Sequence, residues 1–472
     1  MRRTKIVCTL GPATDSEEAI TRLVLAGMNV ARLNFSHGDH AYHRALFARV
    51  RAVSASVGVP IAVLQDLQGP KLRVGVFDGG SALLRAGQTF RLWTEPMVGN
   101  TEGAYVNWPR LSEEVRRGDV LLLDDGLLRL RVTDHVPTHV TTEVEIGGTL
   151  RDRKGINVPS SALSVPSLTE KDREDLRLGL ELGVDYVALS FVRSPLDVHQ
   201  LRALIPDGSY RPGVIAKIEK PQAARNLDAI LDASDGIMLA RGDLGVELPP
   251  EQVPVIQKEA LRKANMRGKP CIIATQMLES MTSAPRPTRA EASDVANAIF
   301  DGADAVMLSA ETASGHYPFE AVEMMSRIAT TAEASMEQPS EPRRLLMPKA
   351  GISFPLAIAR SAAVAAEDLK VRVIACFTVS GRTPRLIMAH RPQREILAFT
   401  PDETTYRKMA LFWGVRPLLC ALRADTDGLI ALVEEELRQR SLAQRGDPVL
   451  IVMGIPASTR TPTNMIKFHT MS

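Results

Sequence analysis

Two short apolar segments that each end in charged residues decide the expected fold of this chain. The sequence reads VIAKIE at Val214–Glu219 and GIMLARGDLG at Gly236–Gly245. Continuous apolar runs of this length are typical of strands buried on both faces, as in parallel sheets. In an α/β barrel, the chemistry lies at the carboxyl ends of the strands. We therefore expect Lys217, Glu219 and Asp243 to meet at one rim, where two carboxylates beside a fixed positive charge could hold a divalent cation.

A structural network of ion pairs at the rim would produce the same three charged residues. Lys217 and Glu219 are two positions apart, so their side chains point to the same face of a strand. A lysine buried beside a carboxylate is costly unless the pair is well satisfied or takes part in chemistry. This argument favours a functional site over a purely structural one.

The same pattern of short apolar runs recurs along the chain and predicts a barrel. Short apolar runs give eight candidate strands, namely Lys5–Leu10, Val30–Phe35, Pro60–Leu67, Val184–Val192, Val214–Glu219, Gly236–Ala240, Pro270–Thr275 and Ala305–Ser309. Most of them are followed by an amphipathic segment, and this alternation indicates parallel βα units. The number of strands matches a (β/α)8 TIM barrel within an α/β fold class.

Two regions fall outside the barrel pattern. Between Leu67 and Leu168 the sequence becomes rich in glycine, valine and turn signals, which predicts an inserted all-β domain. Glu337–Pro348 has the composition of a linker, and a helical run at Leu356–Leu369 follows it. Further strands are then expected at Val371–Thr378, Ile396–Thr400, Val449–Met453 and Asn464–Thr470. The predicted domains are a barrel at residues 1–68 and 167–340, a β insertion at 69–166 and a C-terminal α/β domain at 341–472.

The bulk composition gives no support for several classes of function. The net charge is +2, from 57 basic and 55 acidic residues, and no run of like charge stands out, so neither nucleic acid nor a membrane surface is an expected partner. The four cysteines lie far apart without the spacing of metal ligands. The apolar stretch near the start breaks at Gly11, too early for a signal peptide, and we expect a cytoplasmic protein.

Polar residues at other strand ends extend the candidate site. Arg32, Asn34 and Ser36 alternate along the second strand and therefore share one face, which suits the binding of an anion or a cation. An ordinary polar strand end with a turn would look the same, and His37 alone is weak evidence. Thr275 is the first residue to leave the apolar run of the seventh strand.

The third strand ends at the exit into the predicted insertion. Gly69 and Pro70 mark this exit, and Asp66 and Arg73 flank it. A hinge turn with incidental charges would give a similar pattern.

Taken together, these stretches resemble the pyruvate kinase family over nearly the whole chain. The strongest matches are Lys5–Thr14, Arg32–Gly38, Lys217–Glu219, Ala240–Glu247, Ala274–Met281 and Pro287–Asn297. The resemblance implies a barrel domain, a lid domain, a regulatory C-terminal domain and a homotetramer. It also implies transfer of the phosphoryl group of phosphoenolpyruvate to ADP, which depends on positioning and charge neutralisation.

The resemblance assigns roles to the residues at the barrel rim. Glu219 and Asp243 look like the protein ligands of Mg²⁺ (or Mn²⁺), and Lys217 looks like the cation that stabilises the transferring phosphoryl group. The backbone amides of Gly242 and Asp243, with Thr275, would hold the substrate carboxylate. Thr275 is also placed where the enolate is protonated, through water.

A second group of matched residues would face phosphates. Arg32 and Arg73 are similar to catalytic arginines of the family, and Asn34, His37 and Arg73 to residues near the nucleotide. Lys154 matches a lid lysine that reaches the nucleotide when the lid covers a water-excluded site.

The chain departs from many family members around the monovalent cation. Those members need K⁺, which lies among positions that match Asn34, Ser36, Asp66 and Leu67. Here Leu67 replaces a threonine and Lys71 replaces a glutamate. The chain thus resembles the subgroup in which this lysine supplies the monovalent charge, and we expect activity without K⁺.

The C-terminal domain carries a candidate effector loop. The residues Thr378, Ser380, Gly381, Arg382 and Thr383 follow an apolar strand, and hydroxyls, a glycine and an arginine at a strand-to-helix turn suit a phosphate. A surface turn would have the same composition. The loop resembles the family's allosteric phosphate site, and AMP or a sugar monophosphate is the expected effector.

Two alternatives remain at the level of sequence. A metal-dependent barrel aldolase or lyase acting on a 2-oxo acid could share Glu219, Asp243 and an arginine, but it would not need Lys154 or the C-terminal domain. A catalytically dead barrel kept as a scaffold predicts damage at Lys217, Glu219, Asp243 or Thr275, and all four are intact.

Overall fold

The first three strands of the structure, a computed structural model, lie side by side and parallel. The structure describes residues 2–159, 164–208, 210–336, 353–421, 423, 425–455 and 461–472. The first elements are β1 (Lys5–Thr9), α1 (Glu17–Ala26), β2 (Val30–Asn34), α2 (His40–Val57) and β3 (Ala62–Asp66). Ser16 and Asp39 cap the two helices by accepting backbone N–H bonds, and Gly27 and Gly58 end them.

The predicted β insertion follows β3. Its elements are β4 (Ser81–Leu84), β5 (Thr89–Trp93), β6 (Gly103–Tyr105), α3 (Leu111–Glu114), β7 (Val120–Leu123), β8 (Leu128–Val136), β9 (His139–Ile146), β10 (Gly148–Arg151) and β11 (Ile156–Asn157). Six strands form one sheet in the order β11-β7-β8-β9-β5-β6, and β10 pairs with β4. Phe90, Leu130 and Val144 belong to its own apolar core. Apart from the one-turn helix α3 and a 3₁₀ turn at Asp78–Gly80, the described residues of the insertion have the expected β structure.

The remaining barrel strands alternate with helices. They are α4 (Glu170–Leu182), β12 (Tyr186–Leu189), α5 (Pro195–Ala203), β13 (Gly213–Ile218), α6 (Pro221–Arg225), α7 (Leu227–Ala233), β14 (Gly236–Ala240), α8 (Arg241–Glu247), α9 (Val253–Met266), β15 (Cys271–Ala274), α10 (Arg289–Phe300), β16 (Ala305–Leu308), α11 (Ala310–Ala313) and α12 (Pro318–Ser335). Turns of 3₁₀ helix lie at Asp78–Gly80, Pro250–Gln252, Glu279–Thr282 and Met409–Leu411.

Eight parallel strands close the barrel in the order β1-β16-β15-β14-β13-β12-β3-β2, which confirms the predicted TIM barrel. Successive residues of a strand point to opposite faces, and Ile6 and Val7 accordingly belong to two different apolar clusters. The predicted run Val184–Val192 was too long, since β12 spans only Tyr186–Leu189 and Phe191, at φ 56°, turns the chain out of the strand.

The C-terminal part is an α/β domain, as predicted. It comprises α13 (Phe354–Asp368), β17 (Val373–Phe377), α14 (Arg382–Met388), β18 (Glu395–Thr400), α15 (Glu403–Lys408), β19 (Val415–Leu419), α16 (Thr426–Gln439), β20 (Pro448–Met453) and β21 (Met465–Thr470). The sheet order is β19-β18-β17-β20-β21, with β21 antiparallel to β20. Sequence reasoning missed β19, because Pro417 lies within it and proline argues against a strand except at a sheet edge, where β19 lies. The predicted linker Glu337–Pro348 lies outside the described residues, and the predicted domain boundaries stay predictions.

One buried arginine joins the barrel to the C-terminal domain. The Arg391 guanidinium donates to Asn265 Oδ1 at 2.8 Å, to the Gly302 carbonyl at 2.8 Å and to Asp304 Oδ1 at 2.7 Å. Its central carbon lies 4.5 Å from the ring centroid of Trp413. Arg391 is in the left-handed region, at φ 53°, so the backbone is bent to deliver this side chain.

Buried cysteines and the character of the helices are two further features of the fold. Cys8, Cys271 and Cys376 are buried free thiols, and burial raises the pKa of each above the ordinary range. Among the described residues, no helix combines the length and apolar character needed to cross a membrane.

Candidate active site

The ends of neighbouring barrel strands bring the predicted charged residues together. Lys217 is the second-last residue of β13, Glu219 follows that strand, and Asp66 ends β3. Arg32 on β2 is one strand further round, and β2 pairs with β3 in a register that places Asn34 opposite Asp66. The predicted convergence of Lys217 with a carboxylate at the rim is therefore found, with Asp66 as an additional partner.

Lys217 is held from three sides. Its Nζ lies 2.8 Å from Glu219 Oε1 and 3.2 Å from Asp66 Oδ1, and it donates to Ser190 Oγ at 2.7 Å. Burial alone would lower the pKa of this amine, but the two carboxylates outweigh the effect of burial and raise its pKa. Lys217 is thus a fixed cation at every pH of interest.

Arg32 and Asp66 form a second ion pair beside Lys217. Arg32 Nε donates to Asp66 Oδ2 at 2.7 Å, and Arg32 Nη1 donates to Thr9 Oγ1 at 2.8 Å. Burial opposes ionisation of Asp66, but Lys217 and Arg32 together lower its pKa below the usual value. The carboxylate therefore stays charged and keeps both cations in place.

Glu219 is almost completely buried and faces a second carboxylate. Its Oε2 accepts the backbone N–H of Phe191 at 2.8 Å. Burial raises the pKa of Glu219, Asp243 raises it further, and Lys217 acts in the opposite direction. Two carboxylates that repel each other at a buried rim suit a divalent cation.

The donor set near Glu219 and Asp243 fits one kind of metal ion. Among the described residues, no group of three His, Cys, Asp or Glu side chains is placed to hold a metal. Mg²⁺ is commonly bound by one or two protein carboxylates, with water and substrate oxygens completing its shell. The pair Glu219 and Asp243 matches that pattern and does not match a closed structural zinc site.

Thr275 and Gly242 meet at the ends of β15 and β14. The N–H of Gly242 donates to Thr275 Oγ1 at 2.7 Å, and that hydroxyl donates to the Ala274 carbonyl at 2.6 Å. A Cβ at Gly242 would come within 3.3 Å of Thr275 Oγ1, so glycine allows this close approach. Thr275 and Gln276 both have left-handed backbones, at φ 67° and 55°.

The residues expected near a monovalent cation lie at the ends of β2 and β3. Asn34 Oδ1 accepts the N–H of Ser36 at 3.2 Å. Leu67 has a buried side chain, and its carbonyl accepts the hydroxyl of Ser190 at 2.7 Å. Ser190 also contacts Lys217, so this polar group links the region around Leu67 to the buried lysine.

His37, Arg73 and Lys154 lie further out. His37 is exposed. Lys154 Nζ pairs with Asp124 Oδ1 at 2.8 Å, and Arg73 Nη1 donates to the Arg153 carbonyl at 2.8 Å, so both side chains make contacts within the inserted domain. Their predicted approach to a nucleotide stays a prediction.

Lys71 lies where the inserted domain meets the barrel. It is half-buried and lines a cavity of about 60 Å³ together with Asp243, Lys220 and Asn157. The side chain of Asn157 donates to Glu247 Oε1 at 2.7 Å and thereby ties the insertion to the helix that carries Asp243.

Sequence reasoning missed two residues of this site. Ser190 follows the end of β12, where the rule that a barrel keeps its chemistry at carboxyl strand ends could have found it. Arg241 lies in the motif GIMLARGDLG but has no predicted role there, yet its guanidinium donates to the Thr275 carbonyl at 2.9 Å. No local sequence pattern predicts that contact, because it joins the first residue of α8 to the residue that follows β15.

The predicted effector loop lines a separate cavity of about 320 Å³ in the C-terminal domain. Its lining includes Thr378, Ser380, Arg382 and Thr383, and Arg423 contributes a second cationic side chain. Gly381 has φ 75° and donates its N–H to Thr378 Oγ1 at 2.9 Å, which shapes the turn before α14.

Comparison with known families decides the assignment. The barrel domain of pyruvate kinase matches residues 1–322, and the alpha/beta domain of pyruvate kinase matches residues 356–469. The chain belongs to the pyruvate kinase family. The resemblance predicted from the strand-end motifs is therefore confirmed, and the match of both domains argues against the aldolase and lyase alternatives.

Individual pyruvate kinases are similar over the whole chain. The pyruvate kinase of Sporosarcina psychrophila is 44% identical over 472 residues, covering 99% of this chain and 80% of the relative. That of Staphylococcus aureus (strain MRSA252) is 43% identical over 474 residues, with the same coverage. A crystal structure of a pyruvate kinase from Cryptosporidium parvum superposes with a TM-score of 0.92 at 35% identity, covering 100% of this chain and 96% of the other. The chain is thus a pyruvate kinase-type enzyme, with phosphoenolpyruvate and ADP as the substrates that this family implies.

Proposed function

We propose that the rim residues carry out Mg²⁺-dependent phosphoryl transfer from phosphoenolpyruvate to ADP. The observation that supports this best is the buried ammonium of Lys217, fixed between Asp66 and Glu219. A preorganised cation in a water-poor site stabilises charge on a transferring phosphoryl group without reorganising during the reaction. Ser190 helps to fix the amine, because its hydroxyl accepts one of the three ammonium hydrogens.

Glu219 and Asp243 are the proposed protein ligands of Mg²⁺ (or Mn²⁺). When bound, the metal supplies positive charge to the phosphoryl and enolate oxygens. The N–H of Phe191 fixes one carboxylate oxygen of Glu219 and leaves Oε1 beside Lys217. The protein thereby orients one ligand before the metal arrives.

The amides of Gly242 and Asp243 are proposed to bind the substrate carboxylate. The Gly242 N–H now donates to Thr275 Oγ1, so an arriving carboxylate would replace or share that acceptor. Thr275 is the proposed site of enolate protonation. Its hydroxyl is a poor acid at neutral pH, so we assign it to holding a water that passes on the proton.

Arg32, Arg73, Asn34 and His37 are the proposed contacts to the phosphates. Arg32 is already oriented by Asp66, whereas His37 is exposed at the surface. Lys154 would exchange Asp124 for a phosphate oxygen when the lid closes.

Activity without K⁺ is expected, because Lys71 supplies a monovalent positive charge where many relatives carry a glutamate. The shared cavity of Lys71 and Asp243 supports this role. Pyruvate formation from phosphoenolpyruvate, ADP and Mg²⁺ should proceed at equal rates with and without K⁺ in tetramethylammonium buffer. The Lys71→Glu variant should become dependent on K⁺.

Lys370→Glu, at an exposed lysine of the C-terminal domain, is the matched control and should stay independent of K⁺. A large stimulation of the unmodified protein by K⁺ would contradict the role of Lys71, as would an unaltered K⁺ response in Lys71→Glu. Absence of pyruvate in both buffers, even with AMP and sugar phosphates present, would contradict the roles proposed at the rim.

A phosphorylated metabolite, AMP or a sugar monophosphate, is the proposed activator at the effector loop. Arg382 and Arg423, which line the cavity, supply positive charge of the kind that a phosphate requires. Ser380→Asp places a negative charge on the loop and should raise the activating concentration by roughly tenfold or more, equivalent to about 1.4 kcal/mol. Activation curves for each candidate effector measure this.

Ser441→Asp, at an exposed serine of the same domain, should leave activation unchanged. Intact activation of Ser380→Asp by every candidate phosphate would show that the effector binds elsewhere. A homotetramer, a cytoplasmic location and the domain boundaries near residues 68, 166 and 340 are proposed from the family resemblance and the sequence pattern alone.

A further inference from the structure

The guanidinium of Arg241 hydrogen-bonds to the backbone carbonyls of two consecutive residues that both have left-handed backbones. Arg241 begins α8 and is 9% exposed. Its Nη2 donates to the Thr275 carbonyl at 2.9 Å and approaches the Gln276 carbonyl at 3.3 Å. These two carbonyls belong to consecutive residues directly after β15.

The same two residues have unfavourable backbones. Thr275 is at φ 67° and Gln276 at φ 55°, and neither is a glycine. The left-handed region is disfavoured for residues with a side chain, and such a conformation persists only when the surroundings impose it. The paired hydrogen bonds from Arg241 are one such constraint.

Arg241 is itself anchored. Its Nη1 donates to Asp294 Oδ1 at 2.8 Å, and Asp294 Oδ2 lies 2.7 Å from the same nitrogen. Asp294 belongs to α10, so the guanidinium joins the helix after β14 to the turn after β15 and to a third element. A planar fork with several donors can satisfy all these acceptors at once, which an ammonium cannot.

We infer that Arg241 is a positioning residue for the proton-transfer half of the reaction. It fixes the Thr275 backbone and thereby places the Thr275 hydroxyl, and the water that this hydroxyl holds, beside the enolate carbon. This inference rests on the proposed role of Thr275. In the step concerned, the π electrons of the enolate take a proton from that water, the C–O⁻ group becomes a carbonyl, and solvent returns a proton to the water.

Lys217, Glu219 and Asp243 are the residues proposed to act on the phosphoryl group. Within the described part of the chain, the guanidinium of Arg241 hydrogen-bonds to none of these three side chains. Loss of Arg241 should therefore slow protonation more than phosphoryl transfer. A misplacement of about 1 Å can lower a rate by roughly a hundredfold. We expect a selective loss of that order in the Arg241→Met variant, with partial recovery in Arg241→Lys.

The two half-reactions are measured separately in the full-length protein with Mg²⁺. Exchange of the pyruvate methyl protons with deuterium, followed by proton NMR in D₂O, reports proton transfer. ATP formation in a single turnover reports phosphoryl transfer. Arg202→Met is the matched control, because Arg202 also donates to a carbonyl, that of Ala233, and pairs with a carboxylate, Asp235, but lies on α5. It should change neither rate.

The outcomes separate the inference from the proposed function. Equal losses in both rates of Arg241→Met, or a loss in neither, would overturn the positioning role. Asp294→Asn offers a milder variant, which keeps the guanidinium but weakens its anchor, and it should reproduce the selective loss in part. Thr275→Ala is measured in parallel. If it exchanges methyl protons normally, the role of Thr275 itself fails, whereas slow exchange there with normal exchange in Arg241→Met removes only the role of Arg241.

Discussion

Replacing Lys217 with methionine is expected to lower kcat by roughly three orders of magnitude, the scale seen when a cation that stabilises a phosphoryl transition state is lost. Methionine keeps much of the length and volume of the side chain but removes its charge. The three contacts of the ammonium, to Glu219, Asp66 and Ser190, disappear together. Steady-state rates of pyruvate formation at saturating substrates and Mg²⁺ measure the effect.

Stability has to be separated from catalysis in this variant. Removing one member of a buried ion pair leaves its partner uncompensated, which costs about 3–5 kcal/mol of folding stability. Asp66 keeps Arg32 as a second cation, which limits the loss. A thermal unfolding curve shows whether the variant is still folded at the temperature of the assay. Lys258→Met, at an exposed lysine that pairs with Asp301, should retain full activity. Activity of folded Lys217→Met within tenfold of the unmodified protein would contradict the assigned role.

Glu219→Gln should raise the Mg²⁺ concentration needed for half-maximal activity by more than about a hundredfold. A hundredfold loss of metal affinity is about the largest seen when a residue that hydrogen-bonds a metal ligand is removed. Loss of a direct ligand should lower the affinity at least as much. The amide has the same shape but carries no charge, and it ends the repulsion between Glu219 and Asp243 that a cation would relieve. Electron paramagnetic resonance with Mn²⁺ measures the loss of metal binding independently of turnover.

Glu251→Gln is the matched control for the metal prediction. Glu251 is an exposed carboxylate in the turn that follows the helix of Asp243, so its loss changes the local charge without touching the rim. Its metal dependence should equal that of the unmodified protein. If Glu219→Gln bound Mn²⁺ as tightly as this control, Glu219 would not be a ligand.

The barrel could be predicted because its strands are buried on both faces and therefore read as uninterrupted apolar runs. The end of each run marked the rim, which is why Lys217 and Glu219 were found as a pair. The edge strand β19 escaped because Pro417 breaks the expected pattern and an edge strand needs fewer backbone hydrogen bonds. Local sequence patterns thus predict central strands more reliably than strands at the edge of a sheet.

Contacts between segments that are distant in sequence were harder to predict from the sequence. Ser190 and Arg241 are ordinary in their local sequence, and their importance comes from contacts with residues at the ends of neighbouring barrel strands. The left-handed backbone of Thr275 and Gln276 gave no signal, because neither residue is a glycine or an asparagine. Lys154 pairs with Asp124 of the same inserted domain, and short-range sequence patterns carry no information about which distant residue a side chain contacts.

The buried guanidinium of Arg391 limits how freely the C-terminal domain can be separated from the barrel. Its three acceptors, Asn265, Gly302 and Asp304, all belong to the barrel, while Arg391 and Trp413 belong to the C-terminal domain. Pulling the two domains apart would take every one of these acceptors from the arginine at once. We therefore expect the barrel and the C-terminal domain to unfold together. We also expect an exchange of C-terminal domains between chains to succeed only when the incoming domain carries the arginine and the barrel carries its three acceptors.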